Sequence, residues 1–112
     1  MAAVMTVESS PPAPSGETAA LIRAANAHSA PRLAVDLPSG LLATDGIPLE
    51  PCVRATTTLT LALPKQGLLE GAAAAFVGAL FVADLGVPAE VYLRLGINVS
   101  PLFARRDVVE CL

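Results

Sequence analysis

The sequence predicts an α/β domain with a mixed, mostly parallel sheet, on the strength of three patterns. Two short continuous apolar runs, at 33–35 and 79–83, each stop at an aspartate, as is typical of buried parallel strands that lead into loops. Between them, residues 56–63 alternate threonine with leucine at the two-residue period of a strand. Residues 17–27 show helical spacing instead. We therefore expect three strands, with a helix packed on one face of the sheet.

The predicted helix at 17–27 follows a proline- and serine-rich stretch, which is typical of a loop. Leu21, Ile22 and Ala25 share one face at helical spacing, so this face is expected to pack against the sheet. Pro31 lies a few residues beyond the last helical position and prevents the helix from continuing.

Further local signals divide the rest of the chain. The Asp45-Gly46 pair is a hairpin-type turn signal. A short helical pattern at 89–95 has Pro88 before it and Gly96 after it, which is the usual asymmetry of helix ends. We expect residues 98–112 to form a tail packed on the sheet.

The composition is unusually apolar for a chain of this size. Hydrophobic residues make up 54% of the 112 residues and charged residues only 15%. A chain of this length builds at most one core, and so few polar residues leave little to cover it. Part of the apolar surface is therefore expected to meet a partner or another segment.

Charge and aromatic content exclude nucleic acid as a ligand. The net charge is −3 and the pI about 4.9, so phosphate groups would be repelled. The sequence contains no tryptophan and only 4% aromatic residues, which leaves no platform on which bases could stack.

The cysteine spacing gives no sign of a metal or redox site, and the lengths of the apolar runs give no sign of a membrane span. Cys52 and Cys111 form no C-x-x-C pair and have no histidine cluster, so they are interpreted as buried or idle thiols in a reducing compartment. Gly78 and Asp84 interrupt the longest apolar stretches well short of the roughly 20 residues that a membrane span needs. We expect a soluble, cytoplasmic protein without a membrane partner.

The segment that follows the first predicted strand is the candidate site. Asp36 comes directly after the run at 33–35, and Ser39 follows in the same loop beyond Pro38. In open α/β sheets ligands bind outside the carboxyl ends of the strands, where this carboxylate and hydroxyl would project. The alternative is an Asx-type turn that merely ends the strand. The spacing alone leaves both interpretations open.

Four motifs in this order give the chain a resemblance to a known family. They are VDLPSGL at 35–41, RATTTLTL at 54–61, PKQGL at 64–68 and VADLGVP at 82–88. From about residue 15 to residue 97 the sequence resembles the second half of the NAD(P)H-hydrate epimerase domain, also called the YjeF N-terminal domain. The resemblance implies a Rossmann-like three-layer αβα fold, truncated here. It also implies an isomerase that interconverts the R and S epimers of hydrated NADH and NADPH in metabolite repair.

The resemblance assigns roles to two loop residues. By analogy with the family's D-x-P-S-G loop, Asp36 is the catalytic carboxylate that contacts the hydrated cofactor, and Ser39 helps to coordinate a potassium ion. A carboxylate can shuttle a proton or hold a hydroxyl, and a hard cation prefers oxygen ligands. Lys65 matches a recurring lysine of the family, and the resemblance does not say whether it touches a ligand.

The resemblance also implies that part of the site is absent. The family's glycine- and asparagine-rich loop, which holds the phosphates of the nucleotide, has no counterpart in this chain. Residues 5–11 contain neither the aspartate nor the G-x-G-L loop that the family has there. We therefore expect residues 1–14 to replace part of the family fold, residues 15–97 to form a partial epimerase-like domain, and residues 98–112 to form the tail.

The sequence is compatible with three functions. The first is an NAD(P)H-hydrate epimerase acting on hydrated NADH and NADPH, with an NAD(P)HX dehydratase as its functional partner. The second is a non-catalytic ligand-binding or assembly module with the same fold. The third is a structural fragment that pairs with a chain carrying the first half, and the expected quaternary structure is accordingly a homodimer or a complex with a complementing chain.

Overall fold

The structure is a computed structural model, and it describes residues 11–98 and 106–111. Helix α1 spans Gly16–Ala27 and is the longest described helix, with 12 residues. None of the described helices has the length and apolar content that crossing a membrane requires. The remaining elements, in chain order, are strand β1 at Leu33–Val35, strand β2 at Thr57–Leu61, 3₁₀ turns at Gln66–Leu69 and Gly71–Ala73, helix α2 at Ala74–Val77, strand β3 at Ala79–Ala83, helix α3 at Ala89–Arg94 and strand β4 at Val108–Cys111.

The four described strands form one sheet in the order β1-β2-β3-β4. β1 runs parallel to β2, with Val35 opposite Leu59, and β2 runs parallel to β3, with Leu59 opposite Phe81. β4 is antiparallel to β3, with Glu110 opposite Phe81. The structure therefore confirms the predicted α/β class and the mostly parallel sheet.

The predicted elements are present with small changes at their ends. β1 and β3 have the predicted bounds, and α1 begins one residue earlier than predicted. β2 is shorter than the predicted 56–63 because the chain turns at Ala62, whose φ of 65° lies in the left-handed region. The turn predicted at Asp45-Gly46 is also present, and an antiparallel bridge joins Leu41 to Pro48 across it.

The C-terminal segment differs from its prediction as a simple tail. Val108–Cys111 forms the antiparallel edge strand β4 and pairs with β3 over four residues. Four residues carry too little periodicity to predict a strand, and among the described residues it is the edge of β3 that pairs with them.

Of the α1 residues predicted to face the sheet, Ile22 is buried, whereas Leu21 and Ala25 are exposed. Ala19 and Ile22 are buried, whereas Leu21 is 70% exposed. The helix is held near its end by Asn26, whose amide nitrogen donates to Cys52 O at 2.9 Å and whose amide oxygen accepts from Arg54 N at 2.8 Å. The end of the helix is thus attached to the loop before β2 by hydrogen bonds rather than by the predicted apolar contacts of Leu21 and Ala25.

The core lies on one face of the sheet. Buried side chains from β3 and β4 pack there against the loops and against α2. The hydroxyl of Thr58 is also buried on this face, and it donates to Val77 O at 2.7 Å. The buried members of the cluster are Leu41, Cys52, Leu68, Ala73, Val77, Leu80, Val82 and Cys111.

Candidate functional site

The site begins where β1 ends. Asp36 has a φ of 71°, and Leu37 N donates to Val35 O at 3.0 Å, so the chain reverses in a three-residue turn centred on Asp36. This left-handed conformation is strained for a residue with a side chain. Such strain persists only where surrounding contacts hold it, and it clusters at functional sites.

β2 ends in the same way at the same edge of the sheet. Ala62 has a φ of 65°, and Leu63 N donates to Leu61 O at 2.8 Å. Because parallel neighbours present their carboxyl ends at one edge, the chain that leaves β2 passes beside Asp36. Lys65 lies on this segment and so reaches a residue 29 positions earlier in the sequence.

The carboxylate of Asp36 accepts three hydrogen bonds, and each of them goes to Oδ1. The donors are Lys65 Nζ, which also forms a salt bridge with Asp36, Leu61 N at 3.2 Å and Thr60 Oγ1 at 3.3 Å. Lys65 Nζ donates in addition to Thr60 Oγ1 at 3.2 Å and to Leu61 O at 3.1 Å. We call Asp36, Thr60, Leu61 and Lys65 the Asp36–Lys65 cluster.

The hydrogen bonds of the Asp36 carboxylate differ from those of a local Asx turn. Asp45 Oδ1 accepts from Ile47 N at 3.2 Å and Asp84 Oδ1 accepts from Gly86 N at 2.9 Å, so both residues close local Asx turns. The described bonds to Asp36 come instead from residues 24 to 29 positions away. The carboxylate of Asp36 therefore bonds to residues that are distant in the sequence. The carboxylate of Asp84, which also follows a strand, closes a local turn instead.

Hydrogen bonds and the charge of Lys65 favour the ionised form of Asp36 despite its partial burial. Partial burial raises the pKa of Asp36, but the hydrogen bonds from Lys65, Leu61 and Thr60 and the charge of Lys65 outweigh it, so the net pKa lies below its ordinary value. The Lys65 side chain is 7% exposed and that of Asp36 is 42% exposed. A lysine buried to this degree needs a partner, and Asp36 is that partner.

This arrangement presents an oriented carboxylate to a ligand. The described bonds occupy Oδ1 and none of them reaches Oδ2, while the side chain remains partly exposed. An ionised carboxylate oxygen can accept a hydrogen bond from a ligand hydroxyl or take up a proton. Lys65 and the backbone of Leu61 fix the direction in which it points.

Ser39 lies apart from the cluster. Its side chain is exposed, and its backbone oxygen accepts from Val53 N at 2.9 Å. It lines a cleft of about 470 Å³ beside the start of α1, together with Gly40 and Leu49, and Asp36 is not among the lining residues. No hydrogen bond described here joins Asp36 to Ser39. The roles of Asp36 and Ser39 therefore stay predictions.

The loop after Asp36 requires a glycine at position 40. The φ of Gly40 is 99°, and a Cβ there would lie 2.5 Å from Pro51 O, closer than real Cβ contacts come. Its own carbonyl accepts from Leu49 N at 2.8 Å. Two backbone segments thus approach so closely that only glycine fits between them.

Within the described part of the chain, few side chains are placed to coordinate a cation. The described residues contain no group of three or more histidine, cysteine, aspartate or glutamate side chains that could hold a metal ion. In the Asp36 loop the carbonyls of Pro38, Ser39 and Gly40 accept backbone hydrogen bonds from Leu41, Val53 and Leu49. The Ser39 hydroxyl alone does not make up the oxygen shell that a potassium ion requires.

Thr60 and the structural role of Lys65 were missed by sequence reasoning. Thr60 belongs to the alternating pattern of β2 and carries no separate signal, because its side chain becomes important only through the neighbouring strand. Lys65 had a usable signal. It follows the end of a predicted strand as Asp36 does, and adjacent parallel strands would place both residues at one edge.

Comparisons with known proteins place the chain in a family. Residues 7–67, more than half of the chain, match the family described as YjeF-related protein N-terminus. An NAD(P)H-hydrate epimerase of Dehalogenimonas lykanthroporepellens is 46% identical over 86 residues, which is 77% of this chain and 34% of that protein. An NAD(P)H-hydrate epimerase of Weissella koreensis is 43% identical over 74 residues, covering 64% of this chain and 34% of that protein.

A longer relative shows the same similarity. The bifunctional NAD(P)H-hydrate repair enzyme Nnr of Moorella thermoacetica is 48% identical over 73 residues, which is 65% of this chain and 14% of that enzyme. The match thus spans about a third of the two epimerases and less of the bifunctional enzyme. Because the family match covers more than half of the chain, including β1, β2 and the D-x-P-S-G loop, the chain belongs to the family of YjeF-related protein N-terminal domains.

Proposed function

We propose that this chain supplies one part of an NAD(P)H-hydrate epimerase site, in which Asp36 contacts the hydrated nicotinamide ring. The observation that carries the proposal is the orientation of the Asp36 carboxylate by Lys65 and the backbone of Leu61 at the carboxyl end of β1. The names of the relatives support the reaction class, because they include NAD(P)H-hydrate epimerases and bifunctional NAD(P)H-hydrate repair enzymes.

The role of Asp36 follows from its charge and surroundings. A carboxylate whose pKa is lowered is ionised at neutral pH and is an acceptor first. Held beside the hydrated ring, it would accept the hydroxyl proton or stabilise positive charge that develops on the ring during epimerisation. Lys65 is a positioning residue in this scheme, since it acts on substrate through Asp36.

Potassium enters the proposal only through Ser39. In the assembled site its hydroxyl would be one oxygen ligand, and the others would come from outside the Asp36 loop. No step of the chemistry is assigned to the ion. The test is a melting curve of the chain in potassium chloride and in sodium chloride at equal ionic strength. A potassium-specific rise in Tm that Ser39→Ala removes would support the assignment, and equal curves would contradict it for this chain.

The metabolic setting is also proposed. The bifunctional relatives are named as repair enzymes for NAD(P)H hydrates, which favours an NAD(P)HX dehydratase as the functional partner. A cytoplasmic location fits a repair substrate generated from the soluble nicotinamide pool. We also retain the domain organisation proposed above, with residues 15–97 as the epimerase-like part.

The experiment uses epimer-specific detection. The pure S or R epimer of hydrated NADPH is incubated with the protein, and inversion at the hydrated carbon is followed by NMR. We expect little or no turnover by the 112-residue chain, because losing even two charge-assisted hydrogen bonds of roughly 1.5–3 kcal/mol each weakens nucleotide binding by powers of ten. A fusion with the preceding part of the D. lykanthroporepellens epimerase should restore turnover.

Variants of that fusion test the role of Asp36. Asp36→Asn should lower turnover roughly 100-fold or more, the range expected for a group that transfers a proton. Asp84→Asn is the matched control, because Asp84 also follows a strand but closes only a local turn. Equal turnover by Asp36→Asn and Asp84→Asn would refute the proposed role.

A non-catalytic assembly role is the second candidate. The observation that favours it is the exposed apolar face of the sheet, where Leu33 and Val35 are each 61% exposed. Turnover by the fusion that is insensitive to Asp36, or no turnover by the fusion at all, would favour this alternative.

A further inference from the structure

The face of the sheet opposite the core is open and apolar. Leu33 and Val35 of β1 are each 61% exposed, and Val108 of β4 is 46% exposed. The strand register places these side chains on the same face as those in the centre of the sheet. The open face consists of Leu33, Val35, Thr57, Leu59, Leu61, Ala79, Phe81, Ala83, Val108 and Glu110.

In β2 the polar residues face the core and the apolar residues face outward, which is the reverse of what a sheet with one face in water normally shows. Thr58 and Thr60 are completely buried on the core face, and each hydroxyl has a hydrogen-bond partner. Leu59 and Leu61 lie on the open face and are only half-buried. A sheet that leaves one face in water normally turns its polar residues outward. This pattern is instead typical of a strand that is covered on both faces.

The first strand also has an unpaired edge. β1 lies at the end of the strand order, and within the described residues it pairs only with β2. Asp36 N donates to Leu59 O at 2.8 Å, towards β2. Because successive amides of a strand point in opposite directions, the amide of Val35 points away from β2, to the unpaired edge. Such an edge accepts another strand.

The charge of the open face restricts what can cover it. Among its residues in the four described strands, Glu110 is the only charged one, and it lies on β4, away from the β1 edge. A polyanion or a charged small molecule finds no counter-charge there. A contiguous apolar surface next to an unpaired strand edge fits a polypeptide with an apolar helical layer.

We propose that the open face and the β1 edge bind the portion of a YjeF-related domain that lies outside the match. This occupant would add a strand beside β1 and lay an apolar helical layer over Leu33, Val35 and Leu59. The relatives contain the necessary polypeptide, since the chain spans only 34% of each of two epimerases. Parallel sheets in α/β proteins are covered on both faces, and the described part of this chain covers one.

The test is co-expression with a defined partner. The probe is the segment of the D. lykanthroporepellens epimerase that precedes its aligned residues, produced in the same cells as the tagged 112-residue chain. We expect a one-to-one complex on size exclusion with light scattering. The amide of Val35 should exchange with solvent at least 10-fold more slowly in the complex than in the chain alone.

Two matched leucine variants localise the surface. Leu33→Lys places a charge on the open face at a position already 61% exposed, so the chain itself should still fold. The recovery of complex should fall at least 10-fold, because the ammonium would be buried without a partner. Leu21→Lys lies on α1, is 70% exposed, and should leave recovery unchanged. Circular dichroism of each purified chain checks that both variants are folded.

Three outcomes would overturn the proposal: no complex with the wild-type chain, equal recovery with both variants, or a homodimer that Leu33→Lys disrupts and the probe does not displace. The last would identify a second copy as the occupant. Because the readout is binding, failure here leaves the proposed role of Asp36 in turnover to be judged separately.

Discussion

The carboxylate of Asp36 is hydrogen-bonded to the ammonium of Lys65, although Lys65 lies 29 positions later in the sequence. The two residues follow parallel neighbouring strands, and each strand ends in a tight turn with a left-handed residue at its centre. The turns bring the residues together, and the ion pair in turn helps to hold the strained turn at Asp36. Substitutions at these residues and in the surrounding loops therefore test both the ion pair and the packing around it.

The two partners should differ in how much stability they contribute. Asp36→Ala leaves the buried ammonium of Lys65 without its counter-ion, so we expect a loss of about 1–3 kcal/mol in the free energy of unfolding, a buried-pair penalty reduced for the exposure of Asp36. Lys65→Met leaves a partly exposed carboxylate that water can solvate, and it should cost less. Urea denaturation at pH 7 measures both, and a larger loss for Lys65→Met would contradict the assigned burial.

The contribution of Asp36 should depend on pH in a defined direction. Its pKa is lower in the folded state, so the unfolded chain binds a proton first as the pH falls, and the stabilisation is present above about 3.9, the ordinary value. It is lost as the pH falls from there through the folded pKa. The difference in stability between the wild type and Asp36→Asn should therefore shrink between pH 5 and the acid limit. A constant difference would show that the pKa is not lowered.

Gly40 should not tolerate a side chain. Gly40→Ala introduces a Cβ 2.5 Å from Pro51 O at a φ of 99°, so we expect a loss of about 2 kcal/mol or more. Gly71→Ala is the control, because a Cβ there meets nothing within 4 Å. Thermal denaturation compares the two variants. Equal melting temperatures would mean that the loop before β2 is not packed as described.

Both cysteines should resist thiol reagents in the folded chain. Burial raises the pKa of Cys52 to about 11 and also raises the pKa of Cys111. Few thiolates therefore form at pH 8, and both sulfurs are shielded. Labelling should be slow without denaturant and should reach two groups per chain in urea. Rapid labelling of Cys111 alone would indicate that β4 detaches from β3.

Local patterns in the sequence were sufficient to predict most of the secondary structure. Continuous apolar runs predicted β1 and β3, the threonine and leucine alternation predicted β2, and the cap and spacing signals predicted α1 and α3. These patterns succeed because strand and helix periods are set by the backbone and require no knowledge of distant neighbours. The α/β class and the family resemblance followed from the same segments, and both are confirmed.

Tertiary structure decided what these segments contact. Only the parallel pairing of β1 with β2 brings Lys65 and Thr60 to Asp36, and only the edge of β3 gives β4 its partner. The sequence alternation in β2 indicated two faces, but the packing alone determined that the threonines are inside and the leucines outside. A period of two is the same for either orientation, so burial against the loops and α2 was needed to choose between them.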